Sequence, residues 1–307
     1  MRRPPEQGTG MTETTLQGVI LQGVGGFYTA RDAAGNVYTL RAQGKLRRER
    51  TKPKVGDHIE LVPGDGEAHG WIRRILPRRN ELVRPPVANI DVIVIVAAAA
   101  TPDPDLMMVD RLMLNARRAG IDVLLAVNKS DLDADRARDI LSQYRGAQAS
   151  PMMVCADTGE GLDELRARLV GKVHALAGQS GAGKSTMINA LYGLALETGD
   201  LSRKIERGKN TTRHCQLIPV PGGGMVLDTP GFSLLESEVF DPVEMKDSWP
   251  EFTPYEGGCY FQPCYHATEP RCAVRDAVAA GEIDARRHAR YAALLDEMKQ
   301  KWRDRYD

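Results

Sequence analysis

One octapeptide constrains this chain more than any other feature. Gly178-Gln-Ser-Gly-Ala-Gly-Lys-Ser185 matches G-x-x-x-x-G-K-[ST]; the apolar segment Val173–Ala177 precedes it and the helix-like segment Ser185–Leu194 follows it. Its glycines let backbone N–H groups surround a phosphate closely, and the start of the helix adds positive potential. The octapeptide therefore predicts a phosphate-binding loop (P-loop), and the alternative is a glycine-rich turn that binds nothing.

The segments around this loop alternate between apolar strands and amphipathic helices. The predicted strands are Ile90–Ala98, Val123–Val127, Met152–Cys155 and Val173–Ala177, and the predicted helices are Asp105–Ala119, Ala134–Tyr144 and Gly161–Val170. Strands that alternate with helices form a parallel, doubly wound sheet covered on both faces. A hairpin of Cys215–Pro219 and Gly224–Leu227 is expected to follow, and Ala285–Arg305 is expected to form a terminal helix.

Two further tetrapeptides stand at predicted strand ends. Asn128-Lys-Ser-Asp131 follows one apolar strand, and an aspartate there accepts the N1–H and N2–H donors of guanine, a pair that adenine lacks. Asp228-Thr-Pro-Gly231 follows Met225–Leu227, where the carboxylate could hold Mg²⁺ through water and Gly231 could donate to a γ-phosphate. Each tetrapeptide alone is an ordinary turn. Together with the P-loop they predict a guanine nucleotide site.

Three of the five cysteines lie close together near the C-terminus. The pattern is Cys259-x4-Cys264-x-His266-x5-Cys272, which offers three thiolates and one imidazole. That donor set suits a closed, tetrahedral structural Zn²⁺ site. The alternatives are buried thiols beside a surface histidine, or redox chemistry.

The N-terminal part of the chain predicts a small β-barrel. Five short strands separated by turn residues fit the oligonucleotide-binding (OB) fold. They are Leu16–Leu21, Gly26–Arg31, Val37–Arg41, His58–Val62 and Gly70–Ile75, and the proline-containing stretch 78–86 is predicted to be a linker.

Charge is unevenly distributed, although the whole chain has 41 residues of each sign. Residues 1–84 contain 15 Lys and Arg against 9 Asp and Glu. Lys and Arg neutralise RNA phosphates and aromatic rings stack on unpaired bases, so this part predicts RNA contact. The residues are Arg41, Lys45, Arg47, Arg48, Arg50, Lys52, Lys54, Arg73, Arg74, Arg78 and Arg79, with the aromatic Phe27, Tyr28, Tyr38 and Trp71. The alternative is a solvated charged face over core aromatics.

The ends and the apolar runs of the sequence bear on its location. The longest apolar run, Val92–Ala100, is too short for a membrane span, which needs about 20 residues. The first residues contain no hydrophobic stretch, so a signal peptide is not expected and residues 1–12 are expected to be a flexible tail.

The order of the nucleotide motifs carries a family resemblance. Ras-like GTPases place the P-loop first, whereas here Asn128–Asp131 comes first, then Cys155-Ala156, the P-loop, Thr211-Thr212 and Asp228–Gly231. That order is a circular permutation. With a barrel before it and a Cys/His cluster after it, the chain resembles the ribosome small-subunit-dependent GTPase A family (RsgA, also called YjeQ). The resemblance implies a multidomain α/β protein: an OB-fold barrel at 13–82, a circularly permuted Ras-like P-loop GTPase domain at 83–238, and a helical zinc-binding domain at 239–307.

The resemblance also assigns binding residues. It implies that Asn128, Lys129 and Asp131 read guanine, that Ala156 offers its N–H to the guanine carbonyl, and that Cys155 replaces a common serine. The phosphate-binding residues are then Gly178, Gln179, Ser180, Gly181, Ala182, Gly183, Lys184, Ser185 and Thr186. Mg²⁺ would be held by Ser185, Asp228 and one of Thr211 and Thr212, with the choice between the two threonines open.

Catalysis is expected to depart from the Ras pattern. The expected catalytic residues are Lys184, Asn210, Thr211, Thr212 and Gly231. Asn210 stands where many relatives have a histidine, and His214 is a possible substitute. Phe232 follows Gly231, where Ras-like enzymes use a water-orienting glutamine. Slow intrinsic hydrolysis is therefore predicted, with stimulation by a partner.

The function implied by the resemblance is a cytoplasmic, monomeric GTPase that acts late in maturation of the small ribosomal subunit and contacts its rRNA. Its cofactors would be GTP or GDP, Mg²⁺ and one structural Zn²⁺. Two other classes stay open from the residues alone: an RNA-binding protein with a vestigial nucleotide site, and an ATP-using P-loop enzyme such as a kinase.

Overall fold

A computed structural model of the chain describes residues 15–43, 51–65, 68–196, 215–228 and 239–306. The chain divides into two compact units, Met1–Arg78 and Arg79–Asp307. Within the described ranges, every helix is too short or too polar to cross a bilayer. Several predicted features lie outside the described residues. They are the tail, the basic residues 45–50, the residues Asn210, Thr211, Thr212 and His214, and Gly231 with Phe232.

The first unit is a closed barrel, which confirms the predicted fold. Its strands are β1 (Leu16–Val24), β2 (Phe27–Asp32), β3 (Val37–Ala42), β4 (His58–Val62) and β5 (Gly70–Ile75). Antiparallel pairing joins β1 to β2, β2 to β3 and β5 to β4, β3 pairs with β5 in parallel, and β4 closes on β1. Side chains alternate across each strand. The inward set is fully buried: Ile20, Ala30, Leu40, Ile59, Leu61 and Ile72.

Arg78, which the sequence suggested for RNA contact, is part of the barrel's own structure. Its Nε and Nη2 atoms donate to the two carboxylate oxygens of Asp57, at 2.7 and 2.9 Å. Asp57 is fully buried and also accepts from the backbone N–H of Lys54 at 2.7 Å. A buried carboxylate needs such partners, because burial of an unpaired charge is strongly unfavourable. This arginine therefore stabilises the barrel.

The stretch predicted as a linker forms a short hairpin instead. Strands β6 (Glu81–Leu82) and β7 (Val87–Ala88) pair antiparallel. The Asn80 side chain anchors the backbone just beyond this hairpin: its Nδ2 donates to the carbonyl of Ile90 at 2.8 Å, and the N–H of Ile90 donates to its Oδ1 at 3.0 Å. The local pattern of prolines gives no sign of the bonds between Asn80 and Ile90, because these residues are ten positions apart.

The second unit contains the predicted doubly wound sheet. Its strands are β8 (Val92–Ala98), β9 (Asp122–Asn128), β10 (Met152–Met153), β11 (Val173–Ala177), β12 (Gln216–Pro219) and β13 (Met225–Asp228). Their order is β10-β9-β8-β11-β13-β12, and every neighbouring pair is parallel except β13–β12. The helices are α1 (Leu106–Arg118), α2 (Ala134–Gln143), α3 (Leu162–Leu169) and α4 (Lys184–Tyr192). All seven residues of β8 are buried, which explains its continuous apolar sequence.

This topology gathers the motifs at one edge of the sheet. The P-loop follows β11, Asn128 ends β9 and Asp228 ends β13. These three strands run parallel, so their carboxyl ends lie on the same side, where doubly wound sheets bind ligands.

The C-terminal part of the second unit is helical. Two 3₁₀ helices, Pro242–Ser248 and Pro250–Tyr255, precede α5 (Ala273–Ala279) and α6 (Ala285–Arg303). One apolar core is shared by these elements and by Leu114 of α1. Its members include Phe240, Trp249, Phe252, Tyr291 and Met298. Helix α6 ends two residues before the predicted Arg305. Its buried residues Arg287, Tyr291, Leu294, Leu295 and Met298 follow one face of the helix, as the apolar spacing indicated.

A buried ion cluster fixes α6 against α1. Arg287 is 2% exposed and donates to the carboxylates of Asp110 and Glu251. Arg290 also donates to Asp110, and to Oε1 of Gln143 at 2.9 Å. The guanidinium of Arg287 lies 4.7 Å from the ring centroid of Tyr144. Sequence reasoning missed this cluster, although Arg287 lies one turn before Tyr291 on the apolar face of α6.

Candidate functional site

The P-loop joins β11 to α4 through two glycines that no other residue could replace. Gly178 has a φ of +140°, and a Cβ there would lie 2.2 Å from the carbonyl oxygen of Val96. Gly183, which caps α4, has a φ of +95°, and a Cβ there would lie 2.3 Å from Nδ2 of Asn128. Both the backbone conformation and the close approach therefore require glycine. The predicted strand–loop–helix context of the motif is confirmed.

Lys184 is positioned across the loop. Its Nζ donates to the carbonyl oxygens of Gly178 and Gln179, at 2.7 and 2.8 Å. Burial lowers the pKa of Lys184 to about 8. Both recorded partners are neutral, so an anion bound in the loop would stabilise the charged ammonium.

Asn128 connects three loops. Its Nδ2 donates to the carbonyl of Ala182 in the P-loop at 2.8 Å, and its Oδ1 accepts from the N–H of Ala156 at 3.0 Å. Asn128 is 2% exposed, so water cannot readily replace either hydrogen bond if the side chain is removed. This one amide therefore sets the spacing between the loop after β9, the loop after β10 and the P-loop.

Lys129 extends from the same strand end over the P-loop. Its backbone is left-handed, with a φ of +62°, and its Nζ donates to the carbonyl of Gly181 at 2.9 Å and to that of Thr101. The loop after β8 thereby joins the site. The N–H of Asp105 in that loop also donates to Oε1 of Gln179 at 3.3 Å. No motif marks Thr101 or Asp105, because each contributes only backbone atoms.

Asp131 and Cys155 form a pair at the rim of this arrangement. The Cys155 thiol donates to Oδ1 of Asp131 at 3.1 Å. Asp131 is exposed, whereas Cys155 is 1% and Ala156 is 9% exposed. The structure thus brings Asn128, Lys129, Asp131, Cys155 and Ala156 into one cluster with the P-loop. Cys155 contributes its side chain as well as its backbone, which the sequence did not suggest.

Ser185 and Asp228 offer oxygen ligands at the same sheet edge. Ser185 and Thr186 stand in the first turn of α4, and Asp228 ends β13, whose Leu227 pairs with Ala175 of β11. Burial raises the pKa of Asp228, and in the described part of the chain no cation forms an ion pair with it. Hydroxyl and carboxylate oxygens suit Mg²⁺. The predicted partners Asn210, Thr211, Thr212 and Gly231 lie outside the described residues.

Cys259, Cys264, His266 and Cys272 form a compact buried cluster. Their ligand atoms all lie within 4.8 Å of one another. The sulfurs of Cys259 and Cys272 are 3.8 Å apart, and Nδ1 of His266 lies 3.5 and 3.4 Å from them. A tetrahedral zinc site with bonds of about 2.3 Å to sulfur and about 2.1 Å to nitrogen has edges of about 3.8 and about 3.6 Å. These separations fit Zn²⁺.

The surroundings of the cluster favour a bound cation. Burial raises the pKa of Cys264 and Cys272, so their thiolates require positive charge nearby. His266 has a left-handed backbone, with a φ of +59°, and its carbonyl lies 2.6 Å from Nε2 of His288. The ring of Phe252 packs edge-on against that of His266, with centroids 5.7 Å apart. The apolar core of the C-terminal helical part, residues 239–306, therefore positions the side chains of this cluster; we call this part the zinc module.

One outer face of the barrel carries an aromatic and basic row. Phe27 pairs with Arg41, and Arg41 with Trp71, so the three residues lie side by side across β2, β3 and β5. The guanidinium of Arg41 lies 4.2 Å from the Phe27 ring centroid, and Trp71 is 44% exposed. Tyr28 and Tyr38 instead pack partly against the barrel core. The predicted aromatic residues thus divide between an outer face and the core.

Comparisons with known proteins agree with this geometry. The family model described as RsgA GTPase matches residues 75–238, and that of the RsgA N-terminal domain matches residues 17–72. The chain is 39% identical over 299 residues to the small ribosomal subunit biogenesis GTPase RsgA of Agathobacter rectalis, covering 93% of this chain and 99% of the relative. Its counterpart in Ruminiclostridium cellulolyticum is 41% identical over 286 residues, covering 92% of this chain and 93% of the relative.

Two solved structures share the fold. YjeQ from Thermotoga maritima superposes with a TM-score of 0.79 at 32% identity, covering 93% of this chain and 99% of that one. YloQ, described as a circularly permuted GTPase, superposes with a TM-score of 0.78 at 27% identity, covering 95% of this chain and 98% of that one. The predicted permutation of the nucleotide motifs is confirmed.

Proposed function

The chain belongs to the RsgA family of GTPases, and we propose that it hydrolyses GTP to GDP and phosphate on the small ribosomal subunit during late maturation. The observation that carries this proposal is the joining of the P-loop to the loops after β9 and β10 by the two hydrogen bonds of Asn128. Those loops hold a phosphate cradle and the exposed carboxylate of Asp131 in one cluster. Because its proposed partner is a cytoplasmic particle, we propose that the chain acts in the cytoplasm, and we propose that it acts as a monomer.

Each end of the nucleotide has matching residues in this site. The N–H groups of residues 178–186 and the ammonium of Lys184 would bind the phosphates. The carboxylate of Asp131, aligned by the thiol of Cys155, would accept from guanine, and the N–H of Ala156 would donate to its carbonyl. The stem of Lys129 crosses between the loops and would pack against the base.

Ser185 and Asp228 would hold Mg²⁺ with a threonine of 211–212. When bound, Mg²⁺ neutralises developing charge on the phosphate oxygens. The chain has Phe232 where Ras-like enzymes have glutamine and Asn210 where many relatives have histidine. An amide orients water but accepts no proton at neutral pH, so intrinsic turnover is slow and the small subunit completes the catalytic arrangement.

The barrel and the zinc module supply contacts to the subunit. The row of Phe27, Arg41 and Trp71 offers cationic and stacking groups of the kind that bind single-stranded RNA. Cys259, Cys264, His266 and Cys272 would hold one structural Zn²⁺. Asp228–Gly231 precedes Cys259, the first residue of the Cys/His cluster, by about 30 residues, so ordering of this segment by a γ-phosphate would act on the zinc module. GTP would thus favour the subunit-bound arrangement, and hydrolysis would favour release.

The deciding experiment measures GTP turnover alone, with purified small subunits and with purified large subunits as control. Slow turnover that only small subunits stimulate is expected. Asp131→Asn should weaken GTP binding and shift preference toward xanthosine triphosphate, because the amide complements xanthine rather than guanine. Fast turnover without subunits, equal stimulation by large subunits, or an unchanged preference of the variant would each contradict the proposal.

A further inference from the structure

Two aromatic side chains are exposed in the segment 259–272, which contains the Cys/His cluster and which we call the zinc loop. Tyr260 and Phe261 directly follow the metal ligand Cys259, and they are 63% and 45% exposed. Their ring centroids lie 4.9 Å apart with an interplanar angle of 80°, so the rings support each other edge to face. Neither belongs to the apolar core of the module. Exposure of two adjacent large rings is unfavourable in water, so this surface is suited to a partner.

An arginine stacks on this pair. The guanidinium of Arg271 lies 3.3 Å from the ring centroid of Tyr260 and 5.8 Å from that of Phe261. Arg271 is exposed, and among the described residues no carboxylate pairs with it. We call Tyr260, Phe261 and Arg271 the aromatic–arginine platform. Within the described part of the module, no carboxylate neutralises the positive charge of Arg271.

The metal ligands hold the platform rigid. Tyr260 follows Cys259 and Arg271 precedes Cys272, and the N–H of Tyr260 donates to the carbonyl of Arg271 at 3.1 Å. Arg271 has a left-handed backbone, with a φ of +53°, which arginine adopts only where its surroundings impose it. A rigid planar surface loses little conformational entropy on binding a second planar group.

We propose that the aromatic–arginine platform binds an unpaired base of RNA, with Arg271 meeting the adjacent phosphate. A nucleotide in a single strand supplies both a flat base, which stacks on an aromatic ring, and an anionic phosphate, which pairs with a guanidinium. The barrel shows the same chemistry independently, since Arg41 stacks on Phe27. Base-paired RNA would hide its base faces, so the ligand is a loop or bulge. The inference rests on the proposed function, which brings the chain to ribosomal RNA.

The first test is the affinity of the full chain for purified small subunits with a non-hydrolysable GTP analogue. Tyr260→Ala should weaken binding by roughly tenfold, the scale of one lost base stack, and Tyr260→Phe should restore it because the ring is kept. Zinc content and subunit-free GTP binding should stay unchanged in both variants. Trp302→Ala is the matched control, because Arg305 stacks on Trp302 at 3.0 Å at the C-terminal end of α6, outside the segment that holds the four cluster residues. It should bind like wild type.

The second test identifies the partner directly. Ultraviolet crosslinking of the full chain on small subunits, followed by digestion and mass spectrometry, should place a nucleotide adduct on Tyr260 or Phe261. A crosslink to a ribosomal protein would overturn the RNA assignment, and equal affinities of Tyr260→Ala and wild type would overturn the platform itself. Wild-type chain that binds no small subunit would instead refute the proposed function, and the inference with it.

Discussion

The nucleotide loops and the zinc module lie in the same unit but are held together by opposite means. The nucleotide loops are joined by hydrogen bonds to neutral backbone groups, chiefly from Asn128 and Lys129, and Asp131 and Asp228 form no ion pairs among the described residues. In the core of the zinc module the buried arginines are paired instead: Arg287 and Arg290 form ion pairs with buried carboxylates. We expect the unpaired carboxylates to be available to a ligand that binds and leaves, whereas the paired arginines stabilise a single packing of the helices.

The largest expected effect is on the folding of the zinc module. Cys259→Ala should abolish zinc binding and unfold the module, because structural zinc contributes about 10 kcal/mol or more of apparent binding free energy in small metal-bound domains. Cys215→Ala, at a half-buried cysteine outside the cluster, is the control and should keep one zinc. Metal analysis and thermal unfolding measure both. An unchanged melting curve in Cys259→Ala would show that the ion cluster, rather than the metal, maintains the module.

The next effect tests the ion cluster. Arg287→Met should lower the free energy of unfolding by about 3–5 kcal/mol, because it leaves Asp110 and Glu251 buried without their shared partner. The neighbouring Arg286→Met removes an exposed pair with Asp139, half-exposed on both sides, and should change stability by less than about 1 kcal/mol. Chemical denaturation compares the two. Equal losses of unfolding free energy in the two variants would mean that the buried ion pairs of Arg287 contribute no more to stability than the exposed pair of Arg286.

On the nucleotide side, Asn128→Ala should raise the dissociation constant for GTP by roughly 10- to 100-fold, because two buried backbone groups lose their partners and the loops lose their spacing. Asn80→Ala is the matched control, since it removes the same pair of bonds, to Ile90, before the amino end of β8. It should destabilise the fold while leaving GTP affinity within about twofold of wild type. A matching loss of affinity in both variants would reduce the role of Asn128 to general stability.

The smallest effect is a pH dependence of GTP binding. Because burial holds the pKa of Lys184 near 8 in the free protein, the ammonium that attracts phosphate is lost as pH rises through that value. Affinity should be full at pH 7 and fall about fivefold between pH 8 and 9. Lys184→Arg, which stays charged throughout, should show no such fall. Titration of GTP binding by fluorescence at each pH measures this, and identical profiles would assign the pH dependence to another group.

The sequence was most informative where function depends on neighbours along the chain. The P-loop, Asn128–Asp131 and the Cys/His cluster each lie within a short segment, so their residue types and spacing predict their chemistry. It was least informative where two distant segments meet. Asp110 and Arg287 are 177 residues apart, and nothing local distinguishes them from surface charges. The bond of Arg78 to the buried Asp57 was not predicted for the same reason, because 21 residues separate the two positions along the chain.

The sequence by itself determined the reaction class, the permuted order of its motifs and the four side chains of the Cys/His cluster, because each is fixed by residue identity and short spacing. Tertiary structure decided how those parts are connected: Asn128 as the link between three loops, the thiol of Cys155 on Asp131, and the outward turn of the aromatic–arginine platform. Each depends on segments that only the packing of the sheet and the module brings within hydrogen-bonding or stacking distance.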